Sequence, residues 1–144
     1  MHRTYTLYDL QHDSSTVPSS LLSTDYVEFW FKSIEHQQIC HLSTHDLCRL
    51  IQLQVLTEFL LPESLHRLYK NPVIGATYDG QLLQTVALDI PINFWIENPE
   101  IHNSMKEFLV MMRTFRIAET FIWKNDVEKK DYLYALEFLN RITT

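Results

Sequence analysis

The spacing of apolar residues between Ser43 and Trp95 limits the fold more than any other feature of the sequence. The stretch reads STHDLCRLIQLQVLTEFLLPESLHRLYKNPVIGATYDGQLLQTVALDIPINFW. Within it, Leu82, Leu83, Val86, Ala87 and Ile90 recur at i, i+1, i+4, i+5 and i+8. At 3.6 residues per turn that set lies along one side of a helix. In a strand the same residues would divide between opposite faces. Pro62, Pro72, Gly75, Gly80 and Pro91 punctuate the stretch. The apolar runs between them read as short helices that must cover one another.

The same periodicity extends outward. Val27, Trp30, Phe31 and Ile34 form an i, i+3, i+4, i+7 stripe, with Thr24 or Asp25 as its cap. Ser43 or Thr44 caps the next helix, which buries Leu47, Leu50 and Ile51 and runs on past a weak point at Gln52–Gln54 to Leu60. Proline lacks a backbone donor and clashes with the preceding turn, so Pro62 is expected at the first position of a new helix. That helix turns Leu65, Leu68 and Tyr69 inward and ends at Asn71-Pro72. Asp79 is read as the cap of the Leu82–Ile90 helix, Pro91 as its end, and Ile92–Trp95 as a helical turn. Asn98-Pro99-Glu100 opens a helix with Ile101, Met105, Phe108, Leu109 and Met112 inside, extending through Phe115, Ala118 and Ile122. Asn125-Asp126 marks a break. The last helix carries Leu133, Leu136, Phe138, Leu139 and Ile142. Residues 1–23 are loosely defined: Tyr5, Leu7, Tyr8 and Leu10 suggest a turn or strand, and Ser14–Thr24 a loop. The expected architecture is all-α, a single compact antiparallel bundle of about six to seven helices over residues 1–144.

Only two glycines and five prolines in 144 residues argue against an all-β fold rich in tight turns and against disorder. The formal net charge of −6 disfavours direct nucleic-acid binding, which needs cations to neutralise phosphates. It suits a soluble protein or a partner with a basic surface. Two cysteines, Cys40 and Cys48, are too few for the disulfide framework of a small secreted domain. The start, MHRTYTLYDLQHD, has no apolar h-region, and no window is long enough to span a membrane. A cytoplasmic protein is expected.

Cys40, His41, His45 and Cys48, with His36 nearby, form the densest group of metal-ligating types. Their spacing is not that of a zinc finger or ribbon. A small core cysteine beside solvated histidines explains them better, and no metal or other cofactor is expected. Glycines only at 75 and 80 exclude a P-loop, a G-x-G-x-x-G turn and a G-x-S-x-G elbow. Paired carboxylates such as Glu97/Glu100 and Asp126/Glu128 suit helix starts as well as acid–base chemistry. No catalytic residues are assigned.

The order of these features resembles a known family. LSTHDLCRLIQLQVLTEFLLPESLHRL looks like T-x-x-D-L-R-x-L-I, then a helix with a mid-run proline, then A/S-L-x-x-L. YKNPVIGATYDGQLLQTVALDIPINFWIENPEI looks like N-P-x-x-x-x-x-Y-x-G-x-L-L followed by P-x-x-F-W-x-x-N-P. Together they resemble the immunity proteins of bacterial contact-dependent growth inhibition systems, from Trp30 to about Leu109. Membership implies a small non-enzymatic cytosolic protein that binds and neutralises a toxin domain. The toxin sits at the C-terminus of a large surface protein delivered by neighbouring cells. Such toxins are often nucleases with basic clefts, and an RNase is favoured here.

On that basis the expected mechanism is stoichiometric blocking by an acidic, partly aromatic face. Tyr78, Asp79, Glu97, Glu100, Asp126 and Glu128 are the candidate toxin contacts, because they fall at connectors and helix starts. The alternatives are a non-inhibitory protein-binding adaptor, or a small metal-dependent enzyme built on Cys40, His41, His45 and Cys48.

Overall fold

A computed structural model of the chain describes residues 3–14 and 25–144. Among these residues there are nine α-helices. They are α1 (Leu7–Ser14), α2 (Asp25–Ile34), α3 (Thr44–Gln52), α4 (Thr57–Lys70), α5 (Gln81–Asp89), α6 (Ile92–Glu97), α7 (Pro99–Thr114), α8 (Ile117–Thr120) and α9 (Asp126–Thr143). A 3-10 turn, Ile39–His41, precedes α3. The described residues contain no strand, only an isolated antiparallel bridge between Thr6 and Gln38. The fold is all-α, as expected, with more and shorter helices.

Helix α5 is the hub. Every residue from Gln81 to Ala87 is buried, so this helix is covered on all sides. It packs most extensively against α9 and α3, and also against α4. The predicted face of Leu82, Leu83, Val86, Ala87 and Ile90 lies in the core cluster, joined by Leu47, Ile51, Leu60, Leu68, Phe108 and Leu139.

The N-terminal segment is a strap. Thr6 and Asp9 cap α1 reciprocally: the Thr6 amide donates to Asp9 Oδ2 and the Asp9 amide to Thr6 Oγ1, both 3.0 Å. Leu7 and Leu10 are buried. The amides of Tyr8, Ile39 and Cys40 donate to the carbonyls of Glu35, Tyr5 and Arg3, each 2.9 Å. Glu63, 1% exposed, accepts from Arg3 Nε at 2.5 Å and from Arg67 Nε at 2.8 Å. Arg67 Nη2 also donates to the Ile39 carbonyl at 3.2 Å. The strap, the 3-10 turn and α4 thus meet at a buried carboxylate whose two oxygens each have a guanidinium partner.

Several sequence expectations need correction. The Leu7–Ser14 segment is a helix rather than a turn or strand. The chain breaks at 53–56 and not at Pro62, which lies inside α4. Val55 and Leu56 are 1% and 4% exposed, and burying both bends the chain there, with Gln54 and Leu56 at positive φ. Asp79 does not cap α5. Gly80 holds that position in the left-handed region at φ 84°. Helix α7 stops at Thr114, and Arg116 at φ 49° turns the chain into α8, leaving Phe115 and Ile122 exposed. Tyr69 and Leu133 are partly exposed, while Tyr132 is fully buried on α9. The predicted caps Ser43 and Asn125 accept from the amides of Asp46 (3.0 Å) and Glu128 (2.9 Å), and Pro99 opens α7. The cap at Thr24 and the 15–24 part of the predicted loop lie outside the described residues. No helix among the described residues is long and apolar enough to cross a membrane.

Candidate functional site

Helix α3 turns Leu47, Cys48, Leu50 and Ile51 inward. That leaves His45, Arg49 and Gln52, at i, i+4 and i+7, on its other side. Helix α2 buries Phe31 and Ile34 and brings Tyr26 and Trp30 over α3. The Arg49 guanidinium carbon lies 4.4 Å from the Trp30 ring centroid and 5.3 Å from that of Tyr26. Both are cation–π distances. Trp30 Nε1 donates to Asp46 Oδ1 at 2.9 Å, which fixes the indole against α3. Among the described residues, the Arg49 guanidinium has no carboxylate or carbonyl partner.

The facing wall is the connector between α4 and α5. The Gly80 amide donates to the Val73 carbonyl at 2.7 Å. Gln81 Oε1 accepts from the amides of Ala76 (2.8 Å) and Thr77 (3.0 Å). With its oxygen occupied in this way, Gln81 presents its Nε2 donors. His45, Cys48, Arg49, Gln52 and Gln81 line a hollow of about 260 Å³ between the walls.

The charges around the hollow follow from burial. Burial pushes the Cys48 thiol up, against a smaller lowering by the Thr85 hydroxyl and Arg67. Cys48 is therefore held as a neutral thiol and not as a nucleophilic thiolate. Burial likewise raises Tyr78, and the charges of Cys48, Asp89 and Asp131 add to the rise. The Asp89 carboxyl is also pushed up by burial.

The predicted contact residues do not share one face. Tyr78 and Asp79 sit on the connector beside this hollow. A Cβ on the adjoining Gly80 would lie 2.4 Å from Cδ1 of Tyr132, so the connector rests against the first turns of α9. Asp126 and Glu128 begin α9. Asp126, Lys129, Lys130, Leu133, Tyr134 and Glu137 line a second hollow of about 380 Å³ on its outer side. Glu97 and Glu100 lie elsewhere, at the α6–α7 corner. The His102 ring Nε2 is 2.7 Å from the carbonyl of Thr143, so the start of α7 meets the far end of α9. An α9 of 18 residues separates the two groups by roughly 25 Å.

The Cys40–Cys48 group is dispersed. Cys40 Sγ contacts Gln38 Oε1 at 3.8 Å, His41 is exposed in the 3-10 turn, and Cys48 faces α5. Among the described residues, no group of three or more His, Cys, Asp and Glu side chains is placed to hold a metal ion.

Residues 9–105 match the family model of the CDI immunity proteins. The chain belongs to that family. Membership implies a cognate toxin as partner. The match starts earlier than the resemblance read from Trp30 onward. It takes in most of α1, all of α2–α6 and the first half of α7. The end of α7, α8 and α9 lie outside it. No curated protein matches the chain. Within this immunity-family scaffold, Tyr26, Arg49, Gln52 and Gln81 escaped the sequence reading. Tyr26 and Trp30 stand at i, i+4 and Arg49 and Gln52 at i, i+3. That spacing shows each pair shares a helix face, but not that the two faces meet.

Proposed function

We propose that the protein is a non-enzymatic cytoplasmic inhibitor that binds its toxin domain one to one and covers a surface the toxin needs. The family match over residues 9–105 carries this reading. The toxin is a nuclease, with an RNase favoured. A basic substrate cleft would be drawn to a chain of net charge −6, and attraction of this kind speeds encounter. Asp79, Asp126 and Glu128, grouped around the connector and the start of α9, form the main acidic rim, with Tyr78 as its aromatic member. Glu97 and Glu100 add charge from the other corner and steer rather than anchor. Aromatic and arginine side chains near the hollow between α3 and α5 supply the slow-dissociating contacts. The neutral thiol of Cys48 supports a binding role for that hollow over a catalytic one.

The test is co-purification with the toxin domain encoded next to this protein, followed by nuclease assays with and without it. A one-to-one complex with suppressed cleavage is expected. Absence of any complex refutes the proposal, and a complex without suppression refutes inhibition and leaves an adaptor.

A further inference from the structure

We infer that Arg49 is the receptor for a carboxylate side chain of the toxin domain, taken into the hollow between α3 and α5. This rests on the inhibitor reading above and adds the group that anchors the complex.

Three observations lead to it. Among the described residues, Arg49 is a cation that is placed but not paired. Its guanidinium lies over Trp30 and Tyr26. Among the described residues it makes no hydrogen bond or ion pair, and Asp46, one turn away on the same helix, is engaged by Trp30 Nε1. Stacking uses the faces of the guanidinium and leaves its in-plane N–H groups available. Next, the rest of the lining offers donors. Gln81 has spent its oxygen on Ala76 and Thr77. His45 and Gln52 can donate from the α3 side, and Cys48 closes the floor as a neutral thiol. A hollow of donors around one guanidinium selects an acceptor carrying a single negative charge, for which the planar carboxylate is the bidentate match. A phosphate dianion would need a second cation, and among the described residues the lining has neither a lysine nor another arginine. Finally, the rim has the composition of an interface anchor. Tyr26 and Phe29 on α2 are 72% and 77% exposed, and Tyr, Trp and Arg are the residue types that dominate binding energy. Because two rings already hold Arg49, little side-chain freedom remains to be lost on binding.

The experiment measures toxin-domain affinity by calorimetry for the full chain and for Arg49→Ala, Arg49→Lys and Gln52→Glu. Melting temperature and far-ultraviolet dichroism report folding. Arg49→Ala is expected to weaken binding by roughly 30-fold or more. Arg49→Lys keeps the charge but loses the fork, and should weaken it by about tenfold. Gln52→Glu places a carboxylate three residues from Arg49 on an exposed helix position. It should occupy the guanidinium internally and weaken binding by about tenfold with the fold intact. Since Gln52 is exposed, this variant decides the question even if loss of Arg49 loosens α2. Wild-type binding with Gln52→Glu and Arg49→Lys both within about twofold of it overturns this inference and leaves the inhibitor reading standing. A wild-type chain that does not bind the toxin domain overturns both.

Discussion

Replacing Gly80 by alanine tests the joint between the connector and α9. Gly80 sits at φ 84°, in the left-handed region. A residue with a Cβ pays about 1–2 kcal/mol to stay there. The added Cβ would also lie 2.4 Å from Cδ1 and 3.1 Å from Cε1 of Tyr132. Carbon atoms prefer roughly 3.5–4.0 Å. The ring cannot step aside. It is fully buried, its hydroxyl donates to the Pro72 carbonyl at 2.7 Å, and Trp123 packs on it with centroids 4.9 Å apart. Overpacking of this kind costs about 1–3 kcal/mol. The two terms together give a loss of about 2–5 kcal/mol. That is a large share of the stability typical of a domain, about 5–15 kcal/mol. Urea unfolding followed by tryptophan fluorescence measures it, since Trp123 lies at the joint. A second background separates the terms. In Tyr132→Leu the ring is gone, and Gly80→Ala should cost only the backbone term, about 1–2 kcal/mol. The reasoning fails if Gly80→Ala loses less than about 1 kcal/mol, or if it loses the same amount in both backgrounds.

Other perturbations probe the remaining joints. Arg67→Met keeps the aliphatic stem but removes one partner of Glu63, and should cost about 3 kcal/mol in chemical denaturation, because the carboxylate is buried and Arg67 itself is only 11% exposed. Ser43→Ala should cost about 1 kcal/mol and speed hydrogen exchange at the Asp46 amide, which loses its acceptor. Asp89→Asn should raise the melting temperature at pH 7. Burial raises the folded-state pKa of Asp89 above its ordinary 3.8, so the folded protein holds that proton more tightly than the unfolded chain does. Stability from this group is full below the unfolded pKa and is lost as pH rises through the folded one. The advantage of Asp89→Asn should therefore shrink toward pH 3, and a constant advantage across that range would contradict the assignment.

Much of the fold was legible because its helices are amphipathic or closed by polar caps. The inner face of α5, the caps at Ser43 and Asn125, and Pro99 at the head of α7 were all readable from local pattern. The misses have a common cause, since each depends on a distant residue. Gln52–Gln54 read only as a weak point in a continuing helix, and burying Val55 and Leu56 together turns it into a break. On α9 the aliphatic residues suggested Leu133 as core. Leu139 is buried as expected, but Tyr132, Ala135 and Thr143 complete its row, and the Tyr132 hydroxyl has a carbonyl to reach at Pro72. The hollow was hidden for the same reason. Arg49 between Trp30 and Tyr26 joins two helices whose faces each read as ordinary, and Gln81 is aimed by loop amides that no periodicity reveals.

The position of α9 ties the matched segment to the chain beyond it. The family match ends at Met105, yet α5, inside it, packs most extensively on α9, outside it. The contact is specific at the atomic level. Gly80 leaves room for the Tyr132 ring, and Pro72 accepts its hydroxyl. Residues within the match are therefore shaped to a side chain beyond it, which ties the inner row of α9 to the shared core. The outer side carries no such tie. Val127, Lys130, Leu133, Tyr134 and Glu137 are exposed, and Ile122 in the preceding turn is 90% exposed. Substitution there changes surface chemistry at little cost to the fold. Of the two sides of α9, only the inner row is therefore constrained by packing against the matched segment.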